Sequence, residues 1–209
     1  MLTLTILIMM NSCVYSQKLT IDVQPCKRIN IKAFEENAIK EGAHKFYRYN
    51  TKDGLKIVQI KMDKYYDETI EQEGTPLKKR RFYDIATGII SECDLFYSCP
   101  VGTIKQYDES GKLAKEADAE EDMKFKVTDV IKMVKKEFDI DLTKPRHYMH
   151  MSRGDDYIVR FGSDTPLPLR SEVESIMPDG TTGEIYFHAK DGKAAINSRN
   201  IEYPIVLTL

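Results

Sequence analysis

A short unit recurs along this chain: an aromatic residue, a polar turn containing glycine, then an apolar residue. Its clearest copy is Tyr107-Asp108-Glu109-Ser110-Gly111-Lys112-Leu113, with looser copies from Tyr49 to Leu55, Tyr83 to Ile89 and Phe187 to Ala194. In such a unit the aromatic residue packs on one face of a strand, the chain reverses at glycine, and the apolar residue opens the return strand. The repeat therefore constrains the fold to hairpins. It implies no chemistry.

The segments between the turns agree with this. Leu55 to Met62 alternates apolar with polar residues for most of its length, the mark of a half-buried antiparallel strand. Thr69 to Glu73, Lys79 to Tyr83, Ile89 to Glu92 and Thr103 to Tyr107 continue the style, and a short helix is predicted over Ala33 to Lys40. The character changes near Lys124. Val127, Val130, Ile131, Val134 and Phe138 fall on one helical face, with Thr128 as predicted N-cap and Asp129 at the positive end of the dipole. Strands are expected at Arg146 to Met151, Tyr157 to Gly162, Glu172 to Met177 and Glu184 to His188, with turns at Asp155-Asp156 and Asp179-Gly180. The expected class is α+β, mostly β: antiparallel hairpin repeats over residues 18–118, then one amphipathic helix packed on an antiparallel sheet over residues 124–209.

Residues Met1 to Met10 are almost wholly apolar, and no charge appears before Lys18. The run is too short for a membrane-spanning helix, which needs roughly 20 residues, and suits the apolar core of an export signal over residues 1–16. Two processing readings compete. Met10-Asn11-Ser12-Cys13 resembles a degenerate lipobox that would lipidate Cys13, whereas Val14-Tyr15-Ser16 before Gln17 suits ordinary cleavage. The lipidated form is favoured, and it would supply the sole membrane attachment. Export permits a disulfide, and Cys93 and Cys99, flanking Asp94 to Ser98, are the expected pair, with Cys26 left over. Three unpaired cysteines are the competing reading.

Net charge is −2, and the basic run Lys78-Lys79-Arg80-Arg81 is balanced by acidic runs such as Glu116 to Asp122, so no nucleic-acid partner is expected. His147-Tyr148-Met149-His150-Met151 has copper-ligand chemistry, but strand alternation splits its two histidines. Asp155, Asp156 and Asp164 read as solvated turn residues. No G-x-S-x-G elbow and no glycine-rich phosphate loop occurs, and Arg153-Gly154-Asp155 carries no weight as an adhesion tripeptide. A non-enzymatic protein without cofactor or metal is expected.

The stretch Tyr107 to Glu116 (Tyr-Asp-x-x-Gly-Lys-Leu-x-x-Glu) resembles the MORN-type repeat of the antitoxin-component YwqK group, over roughly residues 45–118. The C-terminal helix, the strand Tyr157 to Phe161, and Asp179-Gly180-Thr181-Thr182-Gly183-Glu184-Ile185 resemble a PepSY-type module, over roughly residues 124–190. The first resemblance implies a non-catalytic interaction surface with an antitoxin or immunity role. The second implies an exported domain that binds or restrains a partner, sometimes an enzyme. Neither brings catalytic residues.

Exposed tyrosines beside arginines are suited to protein interfaces, being rigid and amphipathic. Tyr47, Tyr49, Tyr66, Arg80, Arg81 and Tyr83 are the expected partner-binding residues. The resulting expectation is an exported protein of a Gram-negative envelope, periplasmic or lipid-anchored in the outer membrane, that occludes a toxin or envelope enzyme. The alternatives are a structural or glycan-binding surface lipoprotein and, third, a metal-binding or hydrolytic periplasmic protein.

Overall fold

A computed structural model describes residues 19–21, 23, 28–138, 141–144, 150–153, 157–161, 183–187, 194–198 and 205–207. The expected export signal, Cys13, Cys26, His147 to Met149, Asp155, Asp156, Asp164 and the strand at Glu172 to Met177 lie outside the described residues.

The α+β, mostly β class holds. Helix α1 (Ile31–Asn37) precedes eight strands: β1 (Ile39–Glu41), β2 (His44–Asn50), β3 (Leu55–Lys61), β4 (Tyr65–Gln72), β5 (Leu77–Asp84), β6 (Gly88–Phe96), β7 (Cys99–Tyr107) and β8 (Leu113–Asp118). They form one antiparallel meander in which every strand pairs with its neighbours in sequence. Helix α2 (Val127–Phe138) follows. Then β9 (His150–Arg153), β10 (Tyr157–Phe161), β11 (Gly183–Phe187), β12 (Ala194–Ser198) and β13 (Ile205–Leu207) form a second antiparallel meander, again paired in sequence order.

All four copies of the aromatic–turn–apolar unit fall on hairpin connections: β2–β3, β5–β6, β7–β8 and β11–β12. The turn chemistry explains why. Asp108 Oδ1 accepts hydrogen bonds from the Ser110 and Lys112 N–H groups and the Ser110 hydroxyl, and Gly111 takes the left-handed φ of +74° that closes the turn. Asp84 repeats the arrangement with Ala86 and Thr87. In the first copy Thr51 Oγ1 accepts from the Leu55 N–H instead. A short side-chain acceptor holding the backbone two to four residues on pre-forms the β2–β3, β5–β6 and β7–β8 reversals.

The first meander has two unlike faces. Its core face carries Tyr66, Glu68 and Ile70 of β4 beside Tyr83, Arg81 and Lys79 of β5. Two hydrophobic clusters rise from this face. In one, Ile29 and Phe34 of the α1 region pack on Tyr66, Tyr83 and Ile89, flanked by Tyr47 and Tyr107. Phe34 is fully buried, with its ring at an edge-on 5.0 Å from Tyr66. A seven-residue helix has little stability alone, so this docking holds it, with the Asn30 side chain accepting from the Ala33 N–H as N-cap. In the other cluster, the β6–β7 hairpin tip (Phe96, Tyr97, Cys99, Val101) packs with Val127, Val130 and Val134 of α2, Leu142, and Tyr157 and Val159 of β10. The valine stripe read from the sequence is the face buried there. This second core joins the two sheets.

The N-cap differs from expectation. Thr128 lies inside α2. Asp129 reaches back to accept from the Lys126 N–H, and buried Glu120 accepts from the Val127 N–H at 2.6 Å. Thr128 is exposed on the first turn, whereas Val127 is buried, and its N–H is met by the buried carboxylate that the connecting segment brings beside it.

Candidate functional site

A single cross-strand row crosses the core face of the first meander: Tyr47, Gln59, Glu68, Arg81, Glu92, Lys105 and Glu116, one from each of strands β2 to β8. Its centre is buried. Gln59 Nε2 donates to Glu68 Oε2 at 2.7 Å and Tyr83 donates its hydroxyl to Glu68 Oε1 at 2.9 Å. Arg81 Nε donates to Glu92 Oε2 at 3.1 Å, and Arg81 Nη1 lies 3.7 Å from Glu68 Oε1. Tyr107 donates to Glu92 Oε1 at 2.8 Å. Arg81 is thus a buried cation between two carboxylates, and each carboxylate holds a further donor. Burial acts to raise the Glu92 pKa, but hydrogen bonds from Tyr107 and Arg81 and the charges of Arg81 and Lys79 outweigh it and hold the carboxyl below its usual value. Burial and the Glu92 hydrogen bond push the Tyr107 phenol up to about 12. Every central member is engaged within the row, which makes it a structural ladder.

The opposite face has a different character. The register places Phe46, Arg48, Val58, Ile60, Tyr65, Asp67, Arg80 and Phe82 together on it. Neither hydrophobic cluster draws on this face. Its apolar side chains are half-buried. The Arg80 guanidinium stacks 4.6 Å from the Phe82 ring centroid, and Arg48 stands at the same distance over Phe46. Arg80 grips Asp67 through Nε and Nη2, and Arg48 grips Glu41 through both Nη atoms. Arg80 Nη1 and Arg48 Nε have no hydrogen-bond partner among the described residues. The Arg80 side chain is 43 % exposed.

The structure therefore divides the six residues singled out from the sequence. Tyr66, Arg81 and Tyr83 are on the core face, exposed by 1 %, 2 % and 0 %. Tyr47 is half-buried against Phe34 and stacks on Tyr49 at 4.8 Å. Arg80 alone lies on the arginine face. Adjacent aromatics do point to opposite faces, as strand alternation requires, but in β4 and β5 the outward members are Tyr65 and Phe82. The signal for the buried ladder was available: in Tyr66-x-Glu68-x-Ile70 a charge occupies a position whose neighbours two residues away are apolar.

The expected Cys93–Cys99 disulfide is corrected: both thiols are free. Asp94 to Phe96 are strand, and the reversal is made by Tyr97 and Ser98 alone. Cys93 pairs with Arg80 and shares its arginine face, whereas Cys99 is buried in the joint core opposite. Burial pushes the Cys99 thiol up to about 12, the environment of an inert packing cysteine.

Among the described residues no group of three His, Cys, Asp or Glu side chains is spaced to hold a metal, and no helix is long and apolar enough to cross a membrane. No family model, no curated protein and no solved structure matches the chain.

Proposed function

We propose that this is a non-enzymatic exported envelope protein that binds a folded protein partner, with immunity or inhibition by occlusion as its role. On this reading the first meander is the MORN-like part and α2 with the second sheet is the PepSY-like part. The observation that carries it is the arginine face, where Arg48 and Arg80 lie stacked on Phe46 and Phe82 beside Tyr65. Arginine and aromatic side chains pre-ordered in this way suit the centre of a protein interface, because little rotamer entropy remains to be lost on binding. The partner is one that presents hydrogen-bond acceptors to Arg80 Nη1 and Arg48 Nε and apolar side chains to the rings between them.

The test starts from a partner captured from the native envelope by the tagged mature protein. The purified partner is expected to re-form a one-to-one complex, and Phe82→Ala combined with Arg48→Glu, whose ion pair with Glu41 is exposed, is expected to abolish it without altering the fold by circular dichroism. A complex that survives this double change places the contact elsewhere. Separate elution of the purified pair at micromolar concentration removes the partner.

A further inference from the structure

The first meander also holds a cavity of about 460 Å³ at the strand ends, where the β2–β3, β4–β5 and β6–β7 turns converge. Its size falls in the range of small-molecule pockets. The charges inside it cancel. Glu71 is held from both sides, by Lys56 at 3.2 Å and Lys78 at 2.8 Å, and Glu73 adds a carboxylate at the rim. With both lysines neutralised, the site offers no excess positive field to an anion. The floor is different: buried Pro76 and buried Tyr97 contribute apolar surface. The exposed side chains of Asn50, Gln72 and Glu73 have no hydrogen-bond partner among the described residues.

Tyr97 and the middle turn are fixed in place. The Tyr97 N–H donates to Pro76 O, and its hydroxyl donates to Leu142 O at 3.1 Å. Tyr97 has a φ of +55°, a left-handed conformation costly for a tyrosine, which these contacts over-determine. Thr75 Oγ1 accepts from the Leu77 N–H and donates to Gln72 O, stiffening the middle turn. The cavity thus combines a rigid apolar floor, planar amide and carboxylate groups at the rim, and no net charge.

We propose that this cavity binds a neutral saccharide. A sugar ring has an apolar C–H face to lay on the floor and vicinal hydroxyls that both donate to Glu73 and the amide oxygens and accept from the amide nitrogens. The site lies at the turn end of the sheet, beyond the Phe82–Arg80 cluster. It goes beyond the protein-partner reading, and either can fail alone.

Titration calorimetry of the mature protein decides the matter, with neutral disaccharides of glucose, galactose and N-acetylglucosamine as probes and inorganic phosphate as the charged control. At least one disaccharide is expected to bind and phosphate is not. Binding should shift the Gly54 and Gly74 amide resonances. Asn50→Ala combined with Gln72→Ala should weaken binding about tenfold or more with the thermal midpoint unchanged, while Phe82→Ala leaves it intact. The proposal is overturned if none of the sugars binds, if phosphate binds in preference, or if the Gly54 and Gly74 resonances stay in place on binding. Wild-type affinity in a folded double variant overturns it equally.

Discussion

Arg81 shows most plainly how one position in this sheet differs from its neighbour. Arg80 and Arg81 are adjacent in sequence, yet alternation puts one on the half-exposed face and the other 2 % exposed between Glu68 and Glu92. Removing one partner of a buried ionic group leaves the others uncompensated, so Arg81→Met is expected to cost about 3–5 kcal/mol in urea unfolding. Arg48→Met, which breaks an ion pair exposed by 42 % and 47 %, should cost less than about 1 kcal/mol. Equal losses at the two positions would mean that the ladder contributes no more than a surface pair. The ladder also has a pH signature. Glu92 is held below its ordinary 4.5 in the folded state, so its contribution is complete above that value and is lost as pH falls through the lower, folded pKa. Tyr107→Phe removes one of the hydrogen bonds that hold it down. The variant should be about 1–3 kcal/mol less stable at neutral pH, and its deficit should shrink as the pH falls below the ordinary 4.5. A deficit that stays constant from pH 7 to pH 3 would assign the loss to packing alone.

Among the elements, the hairpins were the most legible in the sequence and the caps and bulges the least. The unit marks the β2–β3, β5–β6 and β7–β8 reversals because turn chemistry is local: a side-chain acceptor and a glycine act within a few residues. The valine periodicity likewise located α2 at Val127–Phe138. The cap is not legible locally because Glu120 reaches it from outside the helix, with a side chain that nothing in the local pattern favours over Thr128. Strand ends are hard to read from one segment for a related reason. Residues such as Tyr65 and Leu77 extend their strands by pairing with Asp84 and Phe96, and pairing is not visible in one segment alone. The register shifts at Phe82/Tyr83 and Glu92/Asp94 are long-range in the same sense. The left-handed Gly111 gives the local argument a direct test. Its Cβ would meet nothing within 4 Å, so Gly111→Ala isolates backbone strain at a φ of +74°. A loss of about 1 kcal/mol or more in thermal or urea unfolding is expected, and an unchanged midpoint would show that the turn tolerates a relaxed geometry.

In the whole molecule the informative feature is the joint. The eight-stranded sheet and the second sheet meet where the β6–β7 hairpin tip enters the core built by α2 and β10. Polar contacts fix the meeting: Tyr97 donates to Leu142 O, and Tyr157 donates to Glu120 Oε1 at 3.2 Å while the same oxygen caps α2. One carboxylate oxygen thus ties the connecting segment, the helix start and the second sheet together. Phe96, Cys99 and Val101 come from the first meander and Val127 and Val159 from beyond it, so the two sheets should unfold together while the joint is intact. Glu120→Ala leaves the Val127 N–H and the Tyr157 hydroxyl without that acceptor, at about 1–3 kcal/mol for each buried group. The expected result is selective. Hydrogen exchange should accelerate in α2 and β10 while β3 to β5, distant from the joint, keep their protection, and a single unfolding transition should broaden or split. Uniform acceleration across both sheets would show instead that the joint transmits its loss to the entire first meander, and unchanged exchange in α2 would remove Glu120 from the joint.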